Sequence, residues 1–289
     1  MTFVTRFAPS PTGLLHLGHA HSALTACRAA KEARGRFLVR IEDIDQGRCR
    51  PEFEAAIYED LAWLGLDWEA PVRRQSEHFG EYAAALERLK TNGLVYRCFK
   101  TRKEILDDIA SAPHLRPDGP EAPAYGGAPL ATAEEASLLA AGAPYAWRLS
   151  LAAARERLGA AYARLSFREE IGGALREVAA RPEMFGDAVI ARKDAGTSYH
   201  LASVHDDALQ GVTHVIRGED LAAAAHLHRL LQALLDWPAP IYRHHRLITD
   251  TQGKRLAKRD KGATLRALRE GGATREDVLA MIGISRRTP

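Results

Sequence analysis

An α/β fold organised around a parallel sheet is what this 289-residue sequence predicts, and three observations predict it. The first 40 residues run from a β-prone stretch through an Ala/Leu-rich helical stretch to a second β-prone stretch, the β-α-β order of a parallel sheet. Regular patterning lapses between Ser111 and Ala143, where Pro, Gly and Ala accumulate, which predicts an inserted, loop-rich module. It returns from Asp187 onward, so the sheet resumes after the insert.

The elements follow in order. Thr2–Phe7 is short and β-prone, and Ala8-Pro9-Ser10-Pro11-Thr12-Gly13 stops it, because two prolines remove backbone donors and a glycine permits an unusual turn. Leu17 to Arg34 reads as a helix closed by Gly35, and Arg36–Ile41 as the second strand. Pro51–Leu64 and Phe79–Thr91 are further helices. Beyond the insert, Asp187–Arg192 reads as a strand, Lys193-Asp194-Ala195-Gly196 as a hairpin turn, and Thr213–Ile216 as another strand. Ala222–Leu235 is a helix ended by Trp237-Pro238, and one or two helices follow Gly262.

Charge and cysteine content exclude several classes. Lys254–Pro289 holds ten Lys/Arg against four Asp/Glu, a net +6 in a chain whose total is only +3, so the basic surface is concentrated at the end. Cys27, Cys49 and Cys98 form no C-x-x-C pair and no disulfide framework, which fits a reducing cytoplasm. The start lacks the basic-then-apolar order of a signal peptide, and no stretch approaches a membrane span of roughly 20 apolar residues. A soluble, cytoplasmic protein without a membrane partner is expected.

Two segments can carry chemistry. After the first strand, a loop that opens a helix offers backbone N–H groups and a positive dipole end to an anion. His16 and His19, three apart, can both donate to phosphate oxygens, and Gly18 permits close approach of a nucleotide. The second segment, Gly253-Lys254-Arg255-Leu256-Ala257-Lys258-Arg259-Asp260-Lys261-Gly262, is a basic loop bracketed by glycines, suited to offsetting charge on a polyphosphate. Read singly, these have plainer uses: histidines cap helix starts, basic turns are solvated, Glu42 and Asp43 can pair locally at a strand end, and Tyr199 can be a core aromatic.

Together the segments resemble the HIGH and KMSKS signatures of the class I aminoacyl-tRNA synthetases, within the glutamyl-tRNA synthetase group. The carrying motifs are R-F-A-P-S-P-T-G-x-L-H-L-G-H (6–19), L-V-R-I-E-D-I-D (38–45), S-Y-H-L-A-S-V-H-D-D (198–207), G-V-T-H-V-I-R-G-E-D-L (211–221) and K-R-L-A-K-R (254–259). They span nearly the whole chain. The resemblance implies a Rossmann-type catalytic domain in two halves, 1–95 and 185–253. Between them lies an inserted acceptor-binding-like α+β module, 96–184, and a KMSKS-like loop with a short basic helical end follows at 254–289.

It also implies site roles. Arg6, Ala8 and Ser10 border a glutamate pocket, Glu42 meets the α-amino group, and Tyr199 with Arg217 frames the carboxylates. Pro9, Gly18, His16, His19 and Lys258 hold ATP with Mg²⁺, and His16, His19 and Lys258 stabilise charge during the reaction. The chain departs from the family in Ala257, where the loop usually has serine, and in Ser203, where some relatives have asparagine. At the zinc positions of the short relatives it offers Cys98, Lys100, Tyr125 and Pro129, so zinc is not expected. A chain that stops about 30 residues beyond Lys258 has no room for an anticodon-reading domain. That points to the glutamyl-queuosine tRNA(Asp) type, a monomer that glutamylates queuosine. The alternatives are a catalytic fragment of a glutamyl-tRNA synthetase charging tRNA(Glu), and a non-catalytic regulator that binds an amino acid.

Overall fold

The computed structural model describes residues 2–101, 103–105, 125–193, 195–248 and 264–284. The opening is β1 (Val4–Phe7), α1 (Leu17–Glu32) and β2 (Arg36–Ile41). Gly35 lets β2 start against the chain entering β1, since a Cβ there would lie 2.2 Å from the Phe3 carbonyl oxygen. α2 (Pro51–Trp63) has proline in its first turn, where a missing N–H costs nothing; β3 (Glu69–Arg74) and α3 (Phe79–Thr91) follow.

β1, β2 and β3 are mutually parallel in the order β1-β2-β3. On the other side of β1 lies β9 (His214–Gly218), stitched to it by Thr213 N–H to the Val4 carbonyl at 2.9 Å and Val4 N–H to Thr213 Oγ1 at 2.8 Å. β9 pairs in parallel with β10 (Ile241–His245). The spatial order β3-β2-β1-β9-β10 is that of a doubly wound sheet, and its direction of winding reverses between β1 and β9. The α/β parallel-sheet class is therefore observed. α1 buries Ala20, Ala23, Ala26, Cys27 and Ala30 on this sheet, small side chains that let helix and strands approach closely.

The middle of the chain forms β4 (Val95–Cys98), α4 (Thr132–Ala140), β5 (Ala146–Leu149), α5 (Leu151–Leu158), the hairpin β6 (Ser166–Ile171) and β7 (Ala174–Ala179), and β8 (Val189–Arg192). β4, β5 and β8 make an antiparallel sheet, while β6 adds to the edge of β10. α4 buries none of its residues, so its helical pattern is masked by an alanine-rich surface. The turn after β8 does not close a hairpin: Gly196 takes φ +66 and Ser198 caps α6 (Tyr199–Leu209), accepting the Leu201 N–H. α7 (Ala224–Leu235) precedes β10. α8 (Leu265–Glu270) and α9 (Arg275–Met281) pack Leu265, Val278 and Leu279 into the core shared by α1 and α2. No helix among the described residues is long and apolar enough to cross a membrane.

Candidate active site

Parallel α/β sheets bind ligands beyond the carboxyl ends of their strands, at the point where the winding reverses. A cavity of about 560 Å³ lies there, between the ends of β1, β2, β9 and β10 and the start of α1. Arg6, Ala8, Pro9, Ser10, His16, Gly18, His19, Glu42, Tyr199 and Arg217 all line it. Residues spread over more than 200 positions of sequence are thus brought together. The loop after β1 is held in place by Glu42 N–H to the Pro9 carbonyl and Arg50 N–H to the Pro11 carbonyl, both 3.0 Å.

His16 is the N-cap of α1. Its Nδ1 accepts the Gly18 N–H at 3.1 Å, and His19 Nδ1 accepts the His16 N–H at 3.2 Å, a capping box made of two imidazoles. A nitrogen that accepts from a backbone N–H carries no proton, so in both neutral rings the proton is on Nε2. The Gly18 N–H is consequently not offered to a ligand, contrary to the expectation of bare helix-terminal donors. Gly18 also serves His16, because a Cβ there would come within 3.0 Å of the His16 ring.

Two arginines, Arg6 and Arg217, line the cavity, and a third, Arg40, is buried behind Glu42; the three have different partners. Arg40 is fully buried, its Nη1 2.8 Å from Asp207 Oδ1 and its Nη2 3.0 Å from Glu42 Oε1. Arg6 Nε donates to the same Asp207 oxygen at 3.0 Å. Burial opposes the Asp207 charge, but Arg6 and Arg40 outweigh it and hold the carboxyl below its ordinary range. Burial pushes Glu42 the other way, above the usual carboxylate range, against the pull of Arg40 and Arg6. A cation arriving beside Glu42 would favour its ionised form.

Arg217 has no carboxylate partner among the described residues. Its Nε donates to His244 Nε2 at 3.3 Å and its Nη1 to the Tyr199 hydroxyl at 3.2 Å, while Nη2 is buried without a hydrogen bond among the described residues. Around it burial lowers His200 to about 4 and drives His228 and His244 down as well, with the Arg217 charge adding to the effect, so its imidazole neighbours are neutral. This guanidinium is only 5% exposed and keeps one donor without a partner among the described residues, which leaves it hydrogen-bonding capacity for an anion.

Other predicted residues fall elsewhere. Lys258 and Ala257 lie outside the described residues, although the flanking Ile248 lines the cavity and Thr264 bridges His16. Asp43 accepts the Ser76 N–H and hydroxyl at 2.8 and 2.6 Å, a local structural role. Ser203 is wholly buried and does not line the cavity. Cys98 is buried at the end of β4 beside the Tyr125 hydroxyl, whereas Lys100 and Pro129 are exposed; an ammonium and a side chain without a donor atom do not fit zinc. Among the described residues the one group with metal-ligand spacing is Glu81, His205 and Asp206, and Arg73 already pairs with both carboxylates.

Sequence reasoning missed Arg40 and Asp207 as partners, and missed a clasp in which Ser22 Oγ lies 2.9 Å from His245 Nε2 and His21 Nδ1 3.2 Å from His245 Nδ1. These pairs join residues more than 150 positions apart, and no local signal announces them.

Residues 2–287 match the family described as tRNA synthetases class I (E and Q), catalytic domain. Among relatives, the chain is 48% identical to the "Glutamyl-Q tRNA(Asp) synthetase" of Rhodobacter capsulatus, over 97% of this chain and 100% of that one. It is 39% identical to the protein so named from Nocardia farcinica, over 96% and 82%. Among solved structures, the glutamate-tRNA synthetase of Elizabethkingia anophelis superposes with a TM-score of 0.72 at 30% identity, over 90% of this chain. The chain spans 53% of that protein's length. A family match over nearly every residue, with four of the five motifs contributing residues to one cavity at the winding reversal, places this chain in the class I aminoacyl-tRNA synthetases of the glutamyl and glutaminyl group.

Proposed function

We propose that this enzyme activates L-glutamate with ATP and transfers the glutamyl group to the queuosine nucleoside of tRNA(Asp). One observation carries the amino-acid assignment: Arg217, buried and without a carboxylate partner among the described residues, shares a cavity with Glu42. A buried cation and a carboxylate match the side-chain acid and the ammonium of glutamate. The acceptor assignment is supported by the 48% identity that extends over the whole of the Rhodobacter relative and by the name of that relative.

In the first step a glutamate α-carboxylate oxygen attacks the α-phosphorus of ATP, and the bond to the bridging oxygen breaks, releasing pyrophosphate with the electron pair. ATP enters as its Mg²⁺ complex, a substrate. In the second step a queuosine hydroxyl attacks the acyl carbon and AMP leaves, its phosphate taking the hydroxyl proton. Neither step needs a protein nucleophile, so positioning and charge stabilisation suffice. His16 and His19 donate through Nε2–H to phosphate oxygens, Pro9 and Gly18 border the nucleotide, and Ala8 and Ser10 border glutamate. Lys258 offsets charge on the leaving pyrophosphate. We also propose that the enzyme is a cytoplasmic monomer holding no structural zinc.

Pyrophosphate exchange should proceed with glutamate and ATP alone, and Lys258→Ala should lose about 2–4 kcal/mol of transition-state stabilisation. Labelled glutamate should enter tRNA(Asp) only when queuosine is present. Label on tRNA(Glu), or equal label on tRNA(Asp) without queuosine, would restore the reading as a fragment that charges tRNA(Glu). No exchange under any of these conditions would favour a non-catalytic amino-acid-binding regulator.

A further inference from the structure

We propose that Glu169, on the β6–β7 hairpin and outside the cavity, is a positioning residue for amino-acid binding: through His244 it sets the direction in which Arg217 presents its orphaned Nη2. The inference rests on the reading of Arg217 as the carboxylate-binding group.

Hydrogen-bond chemistry fixes the relay without ambiguity. Glu169 Oε1 lies 2.5 Å from His244 Nδ1, and a carboxylate only accepts, so Nδ1 carries the proton. His244 Nε2 lies 3.3 Å from Arg217 Nε, and a guanidinium only donates, so Nε2 must present its lone pair. Both demands select the same tautomer. Burial, followed by the nearby Arg217 charge, lowers the His244 pKa, which keeps the ring in the neutral form that can accept. With Glu169 removed, only the longer contact from Arg217 favours that tautomer, and the alternative would set an imidazole N–H against the Arg217 N–H.

The same pair of strands supplies a control. β6 runs parallel to β10 with Glu169 opposite Tyr242, and alternation along a strand sends adjacent side chains to opposite faces. Glu170 accordingly pairs with Arg243, at 2.6 and 2.9 Å, on the face away from the relay. Each strand thus holds the hairpin by one pair that reaches Arg217 and one that does not.

The test compares Glu169→Ala, Glu169→Gln and Glu170→Ala in the full chain, by pyrophosphate exchange and by ¹⁵N NMR of the His244 ring. Glu169→Ala should raise KM for glutamate on the order of ten-fold, with a smaller change in KM for ATP, and should lower the population of the Nδ1–H tautomer. Glu169→Gln, whose amide oxygen still accepts, should restore most of the loss. Glu170→Ala should leave glutamate KM within about two-fold of the parent. Equal glutamate KM in Glu169→Ala and Glu170→Ala, or an unchanged His244 tautomer in Glu169→Ala, would overturn the proposal alone. Absence of glutamate-dependent exchange in the unsubstituted enzyme would overturn it together with the reading on which it rests.

Discussion

Arg6 with Arg40 and, across the cavity, Arg217 are buried cations with opposite surroundings. Arg6 and Arg40 share Asp207, and Arg40 also holds Glu42, so their charge is compensated within the fold. Arg217 meets a tyrosine hydroxyl and an imidazole lone pair, and its Nη2 has no hydrogen-bond partner among the described residues. The first arrangement is a scaffold that fixes β1, β2 and α6 relative to one another. The second leaves charge unspent, and an uncompensated buried cation persists in a fold only where something else repays its desolvation.

Breaking the scaffold should have the largest effect. Asp207→Ala strands the buried guanidinium of Arg6, leaves Arg40 to Glu42 and Asp206, and should cost about 3–5 kcal/mol of unfolding free energy in urea. A change under about 1 kcal/mol would show that the two arginines find compensation elsewhere.

Arg217 should behave in the opposite sense. Arg217→Met should lower kcat/KM for glutamate by about 2–5 kcal/mol while leaving stability unchanged or raised. Loss of both activity and stability in parallel would make Arg217 another scaffold residue and erase the contrast.

The smallest effect concerns a buried carboxylate with neither arrangement. Asp60, on α2, is fully buried and, among the described residues, has no hydrogen bond to either oxygen, with Arg269 Nη2 at 3.7 Å. Burial raises its pKa from 3.8 to about 6, although Arg269 and Arg266 oppose the shift. The folded state therefore holds this proton more tightly than the unfolded chain does. Its contribution to stability is whole below pH 3.8 and is lost as pH rises through about 6. Asp60→Asn should gain about 1–3 kcal/mol at pH 7 and nothing near pH 3.5, measured by denaturant titration at both values.

The contrast between the arginines could not be read from sequence, although much around it could. β2 and α3 fall where local pattern puts them, and α1, α2 and β1 differ by one or two residues at their ends, because amphipathic spacing and Pro/Gly punctuation act locally. The β6–β7 hairpin carries a Gly172-Gly173 turn between its strands, a signal present but hidden by the charged residues Arg168, Glu169, Glu170 and Arg176. β10 reads I-Y-R-H-H, too polar to stand out as a strand, and its polarity is what the relay to Arg217 uses. Motifs located ten of the residues that line the cavity; the pairings that compensate Arg6 and leave Arg217 without a carboxylate among the described residues required the fold.

The most direct test of this contrast is a crystal structure with glutamate bound. The side-chain carboxylate should lie within hydrogen-bond distance of Arg217 Nη2 and the ammonium beside Glu42, with the Arg6–Asp207–Arg40 pairs intact. Glutamate bound with Arg217 Nη2 still unpaired, or with Asp207 released from Arg6 and Arg40 to make room for it, would contradict the account.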